Sequence, residues 1–161
     1  MVETVELFLG EWNRAIDDRY RLSLPTDWTD LLAGGTEGCT LAKERPGCLS
    51  LWNTGQWTEW MSQGVELLKS KIRSGRLDRR SDSVQLLGRL LSTRQREVPI
   101  AGRGRISIPD AFRGFLGVEP GGEVLIVGAA VCVEIWHPER WSEHIGEQMP
   151  GFRQLFDELT E

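Results

Sequence analysis

A chain of 161 residues with 40% hydrophobic and 27% charged content holds enough apolar material for a packed core, which excludes wholesale disorder and a membrane-embedded chain. Its net charge of −5 argues against indiscriminate affinity for nucleic acid. The charge is uneven, however: the span 69–105 carries eleven Lys/Arg against three acids, Asp78, Asp82 and Glu97, and reads either as a solvated helical face or as an anion-facing surface.

The N-terminal stretch MVETVELFLG has acids where a secretory leader needs a basic start and a long apolar core, so a cytoplasmic protein is expected. A strand over 11–16 runs into the polar turn Asp17-Asp18-Arg19-Tyr20 and returns as the alternating strand 21–24, a hairpin with arginines at its tip. Pro25 cannot continue a ladder. Thr26 or Asp27 is placed to cap a helix over 28–33, and Gly34-Gly35 stops it. A second hairpin pairs 39–42 with 48–52. A helix then opens near Trp57, with Trp57, Trp60, Met61, Leu68 and Ile72 close to one stripe, which predicts that it packs against the body. Ser74-Gly75 breaks it, and Ser81 or Asp82 starts another with Val84, Leu87 and Leu91 at helical spacing, giving a helical-hairpin linker.

The same grammar then returns at a constant spacing of 84 residues, as Arg21, Ser23, Pro25, Cys48, Trp52 and Trp57 recur as Arg105, Ser107, Pro109, Cys132, Trp136 and Trp141. Over residues 19–60, taken without a gap, eleven of 42 positions are identical. Chance gives roughly two or three, so the chain reads as an internal duplication. The second copy has Pro109 and Asp110 before a helix over 112–116, Gly117 to end it, an apolar run over 124–135 that reads as paired buried strands, and Pro138 in the first turn of a helix near Trp141. The expected units are 8–60, a linker 61–93, 94–145 and a tail 146–161. In the tail, Phe152, Leu155, Phe156 and Leu159 form a short amphipathic helix expected to pack within the chain. Residues 10–60 and 94–144 should form equivalent strand-strand-helix-strand-strand units, interleaved in one α+β, β-rich body. Cys39, Cys48 and Cys132 show no metal spacing and an odd count, and are expected to be reduced and structural. The seven tryptophans could suggest a base-stacking platform, but their repeated places favour core packing.

The segment from Phe8 to Pro25, FLGEWNRAIDDRYRLSLP, resembles the opening of MraZ family proteins, which reads F-x-G-E, an aromatic, I-D-x-K-G-R and a strand ending in Pro. Gly104-Arg105-Ile106-Ser107-Ile108-Pro109 is similar to the family's second G-R-x-x-x-P motif. Glu134-Ile135-Trp136 followed by Trp141 resembles its E-x-W-x-x-x-x-W ending. The resemblance covers about residues 8–145, leaving the tail 146–161 without a counterpart. It implies tandem AbrB-like, swapped-hairpin β-barrel repeats with short helices. It also implies a homo-oligomeric ring that binds short G-containing direct repeats of double-stranded DNA, and a cytoplasmic, nucleoid-associated transcriptional regulator. Carried over by position, Arg21 and Arg105 are the motif arginines, Arg19 and Arg103 are basic neighbours also expected at the DNA, and Asp17 and Gly104 support the turns. The chemistry agrees, because a guanidinium fork matches both acceptors of a guanine edge.

Two positions depart from that pattern. Tyr20 stands where the family keeps Gly, and a left-handed backbone there costs a tyrosine roughly 1–2 kcal/mol. Ala101 stands where the family has Asp. An enzyme is the least supported reading: His137 and His144 have no nucleophile pattern nearby, and Gly102-Arg103-Gly104-Arg105 lies between strands rather than opening a phosphate-cradling helix. No metal, cofactor, small-molecule substrate or membrane partner is expected. The rival reading is a divergent oligomeric assembly protein of the same fold, with weakened or absent specific DNA binding.

Overall fold

The computed structural model describes residues 6–161. Residues 1–5, half of the stretch read above as lacking a secretory pattern, lie outside the described residues. The chain runs β1 (Glu11–Ala15), β2 (Arg21–Ser23), α1 (Thr26–Ala33), β3 (Gly38–Arg45), β4 (Cys48–Trp52) and α2 (Thr54–Arg73). After α3 (Ser81–Arg94) come β5 (Gln95–Pro99), β6 (Arg105–Ser107), α4 (Asp110–Leu116), β7 (Glu123–Gly128), β8 (Val133–Trp136), α5 (Pro138–Gln148) and α6 (Phe152–Thr160). One order of elements, strand-strand-helix-strand-strand-helix, thus occurs twice, with α3 between and α6 appended.

Local chemistry sets the boundaries. Pro25 and Pro109 directly precede α1 and α4. Each of these helices ends on a left-handed glycine, Gly34 (φ 55) and Gly117 (φ 77), whose amides close onto the Asp30 and Arg113 carbonyls. Helix α1 starts at Thr26, earlier than expected, so neither Thr26 nor Asp27 caps it; Pro25 holds the cap position without a side-chain bond. The Asn53 side chain accepts the Gln56 amide at 3.1 Å and caps α2, and His137 accepts the Glu139 amide at 3.2 Å and caps α5.

Six strands form one antiparallel sheet in the order β1-β7-β8-β4-β3-β5, and β2 pairs with β6 as a separate ribbon. This corrects the expected first hairpin. β1 and β2 do not pair: β1 lies along β7 (Glu11↔Val127 to Ala15↔Glu123), and β5 lies along β3. The turn after β1 redirects the chain from the large sheet to the ribbon, so the first strand of each half joins the sheet edge made by the other half. The gain is a shared core: Ile16, Leu22 and Leu24 meet Ile106, Ile108, Phe112 and Leu116 in one cluster. Trp28 anchors one end of it, with Phe8 and Trp12 edge-on at 5.8 and 4.6 Å.

The ungapped spacing also needs correction. Thr40 pairs with Trp52, whereas the residue opposite Trp136 is Leu125, one position later than the constant spacing requires. Side-chain direction alternates along a strand, so this slip changes which residues face the core. Leu41 and Ile126 enter the main cluster, while Leu125 joins Val127, Cys48 and Trp136 in a second one. The identities Leu41/Leu125 and Gly38/Gly122 are therefore not structural equivalents. A bulge between Lys43 and Arg45 restores the spacing before β4.

The expectation of a β-rich chain fails as well, since helix makes up 50% and strand 27%. The excess is in helices that stand away from the core. Only Trp57 of α2 is buried, and α3, α5 and α6 bury no residue fully. The α2 stripe does not pack as predicted, because Trp60 is 55% and Ile72 46% exposed. Trp28, Trp57 and Trp136 are buried, and Trp57 and Trp136 each meet a tryptophan of their own half at a tilt rather than forming a shared platform. Cys39, Cys48 and Cys132 are free and buried. No described helix is long and apolar enough to cross a membrane.

Candidate nucleic-acid interface

The β2/β6 ribbon is the smallest piece of sheet and the place where the two motif arginines meet. Leu22 pairs with Ile106 at its centre, Arg21 with Ser107 and Ser23 with Arg105 at its ends. Paired residues share a face, and residues two apart share it too. Leu22 and Ile106 are buried on the inner face, at 2% and 1% exposure. Arg21, Ser23, Arg105 and Ser107 therefore occupy the outer face together, with the two arginines as diagonal neighbours about 7–8 Å apart.

The two turns feeding this ribbon are built differently. In the first, one Asp17 oxygen accepts the amides of Arg19 and Arg21, both at 2.9 Å, and the other accepts the Arg21 Nε at 2.7 Å. The Arg21 amide, then the Arg19 amide and the Arg21 guanidinium, hold the Asp17 carboxyl below its ordinary range against a partial opposing effect of burial. Asp17 thus fixes Arg21 through Nε and leaves its two terminal nitrogens without a partner among the described residues. Arg19 is exposed at the turn.

In the second turn Ala101 has no carboxylate to offer. The Arg105 amide returns instead to the Ala101 carbonyl at 3.3 Å, and the Ala101 amide donates to the Arg105 carbonyl at 2.8 Å. This backbone closure places two successive residues, Arg103 (φ 66) and Gly104 (φ 70), in the left-handed region. Arg103 and Arg105 are exposed, Gly104 is buried, and neither arginine forms an ion pair among the described residues. A Cβ on Gly104 would lie 2.7 Å from Thr29 Cγ2 and 3.0 Å from the Leu24 carbonyl oxygen, so glycine is required there.

The corresponding residue of the first turn is Tyr20, and it holds the same left-handed conformation, φ 56. The turn is not reshaped; its surroundings are. Arg113 stands where the other half has Thr29, and its long side chain lies over the Tyr20 ring, Cζ 4.4 Å from the centroid. Arg113 is itself held by the Ile108 carbonyl at 2.8 Å and by Asp110 at 2.6 Å. The carbonyls of Tyr20 and Gly104 play one role, accepting the Ile108 and Leu24 amides, both at 2.9 Å.

Arg14 escaped the sequence reading. Its Nε donates to the Ser23 carbonyl at 3.2 Å and its Nη1 to the Asn13 carbonyl at 3.0 Å, which brings a fifth guanidinium to the Arg105 end of the ribbon. The signal was a basic residue in a strand whose counterpart, Val98, is buried. The basic span 69–94 lies elsewhere, since α2 packs on β3 and α3 on β5. His137 and His144 serve the frame: the first caps α5 and the second stacks on Trp136 at 5.0 Å.

Comparison with known proteins gives a consistent picture. A family model described as an antitoxin-like MraZ protein matches residues 93–160. That match runs through α6, so the tail does have a family counterpart, contrary to the sequence reading. A protein named "Transcriptional regulator MraZ" from Roseiflexus castenholzii is 32% identical over 150 residues, covering 93% of this chain and 94% of the relative. Relatives of the same name from Micrococcus luteus and Thermus thermophilus are 27% and 28% identical, covering 95% and 86% of this chain and 96% and 87% of their own.

Proposed function

This chain belongs to the MraZ family, and from that premise we propose that it is a sequence-specific DNA-binding transcriptional regulator that reads double-stranded DNA with the outer face of the β2/β6 ribbon. The observation that carries this reading is the shared face of Arg21 and Arg105, both with terminal nitrogens unengaged among the described residues. A two-stranded ribbon fits the major groove, and a guanidinium fork there donates to the O6 and N7 acceptors of guanine. Arg19 and Arg103 at the turns, with Arg14 beside Ser23, extend the positive surface toward phosphates.

On this reading the two halves are tandem AbrB-like units with exchanged first strands, and the protein acts in the cytoplasm at the nucleoid. One ribbon covers few base pairs, so specificity on a set of direct repeats comes from a homo-oligomer, a ring in the family's manner, that links several weak contacts. The test is a fluorescence-anisotropy titration against DNA from upstream of the chain's own gene and against scrambled DNA of equal length. Tighter binding to the upstream DNA is expected at every salt concentration. Equal affinity for both sequences would overturn the reading in favour of an assembly protein of the same fold, a role that the altered Tyr20 and Ala101 turns would suit.

A further inference from the structure

We propose that helix α6 of one copy docks in the groove between α2 and α3 of a second copy, joining subunits head to tail; this rests on the oligomeric reading above. Phe152, Leu155, Phe156 and Leu159 lie at i, i+3, i+4 and i+7 of α6, a single apolar stripe. All four are 54–77% exposed, and the main contact of α6 is with the short turn Met149–Gly151 that precedes it. The packing within the chain expected from the sequence is not made.

A second, half-covered apolar surface lies on the linker helices. Met61, Leu68 and Leu91 line a groove of about 340 Å³ between α2 and α3, with Trp60 and Leu87 exposed at its rim. Gly64 borders it with open space where a Cβ would stand. Helix α2 has 20 residues and α3 has 14, so both outrun the nine of α6. This is the geometry of an amphipathic helix laid into an apolar groove.

Charge selects the occupant. The stretch 59–91 that forms the groove and the hairpin beyond it carries seven Lys/Arg against Glu59, Glu66, Asp78 and Asp82, an excess of basic charge. The polar side of α6 and the chain end carry Asp157, Glu158 and Glu161 against Arg153, and α5 adds Glu143 and Glu147. A basic rim and an acidic helix are complementary. Topology favours a second copy over the chain's own tail. The helix leading to α6 packs on β7, while α2 packs on β3, three strand spacings away across the sheet, about 14 Å. The two patches differ, so the contact is heterologous and propagates until it closes a ring.

Native mass spectrometry of wild type, Leu87→Asp and Phe156→Asp at micromolar concentration tests this. Both positions are exposed, so circular dichroism should match wild type. Wild type should be an oligomer larger than a dimer, and each variant alone a monomer. Mixed in equal amounts, the variants should form a heterodimer and nothing larger, because one intact tail and one intact groove remain per pair. If both variants stay oligomeric, another surface joins the subunits: the docking proposal falls and the oligomeric reading stands. A mixture that remains monomeric would also overturn the docking, pointing to a tail that folds onto its own chain. Monomeric wild type would overturn the oligomeric reading itself.

Discussion

The Tyr20 ring lies beneath the Arg113 guanidinium at 4.4 Å, in the place where the other half of the molecule has Gly104 beneath Thr29. One half keeps the glycine and a short neighbour; the other has a tyrosine and a long, movable one. Both hold a left-handed backbone, so Tyr20 carries a strain of roughly 1–2 kcal/mol that its packing must offset. Tyr20→Ala keeps the strain and loses the ring, and should destabilise by about 1–3 kcal/mol. Tyr20→Gly loses the ring but also the strain, and should be the more stable of the two in urea denaturation. Equal losses would show that the strain is absorbed elsewhere.

Gly104 should tolerate no side chain. Gly104→Ala adds the left-handed penalty, roughly 1–2 kcal/mol, to a Cβ only 2.7 Å from Thr29 Cγ2. Thr29→Ser removes that methyl while keeping the hydroxyl that donates to the Thr26 carbonyl at 2.8 Å. Adding it to Gly104→Ala should recover part of the lost stability, whereas alone it should be close to neutral. No recovery in the double variant would place the conflict on the Leu24 carbonyl instead.

Asp17 should make stability depend on acid. Its carboxyl is held below the ordinary 3.8 by the Arg21 amide first, then by the Arg19 amide and the Arg21 guanidinium. The folded chain thus releases this proton more readily than the unfolded one. The stabilisation is complete above pH 3.8 and fades as the pH falls through the lower folded value. Asp17→Asn should be less stable than wild type at neutral pH, and the gap should close below 3.8. A gap constant down to pH 2 would mean that Asp17 acts through its shape and not its charge.

The three thiols should be silent in the native protein. Burial pushes Cys39 and Cys132 up to about 12 and Cys48 further still, so little thiolate exists at pH 8, and all three side chains are buried. A thiol reagent at pH 8 should label none of the three until denaturant is added. Rapid labelling of any one would reveal local opening of its strand.

Most of the frame was legible because it rests on local signals: alternation marks β2, the 84-residue recurrence marks β6, the second hairpin and the apolar run 124–135 mark the central strands, and Pro25, Pro109, Gly34 and Gly117 bound the short helices. Partner choice was legible for the tight hairpins β3/β4 and β7/β8, but not for β1, β2, β5 and β6. A strand such as β1 reads the same whether it pairs with β2 or with β7, since alternation fixes which side is buried and not which neighbour it bonds. The slip that separates Leu41 from Leu125 is hidden for a related reason, because both are leucines and a one-residue shift leaves composition unchanged. Motif position picked out Arg21, Arg105, Asp17 and Gly104, which the fold gathers at the ribbon and its two turns. Arg14 reaches the ribbon only through the tertiary approach of β1 to Ser23, which no spacing encodes.

The ribbon arginines should separate from the linker charges in their effect on DNA, and Arg105 should matter at least as much as Arg21. Arg21 has one nitrogen engaged by Asp17 and shares its turn with Asp18, whereas the stretch from Ala101 to Ser107 contains no acid and leaves Arg105 without an ion pair among the described residues. Against this, the Asp17 bond holds Arg21 in one orientation, which lowers the entropy lost on binding. Losing a bidentate guanine contact costs about 1–3 kcal/mol and relaxes preference at one base pair, while losing a phosphate contact weakens all sequences alike and flattens the salt dependence. Arg105→Ala and Arg21→Ala should therefore reduce affinity for the upstream DNA far more than for scrambled DNA. Arg14→Ala, and Arg79→Ala on the linker, should lower both equally or not at all. Titrations at two salt concentrations distinguish the classes. Equal, sequence-independent losses from Arg21, Arg105 and Arg79 would show that the ribbon does not read bases, and the assembly reading would then take its place.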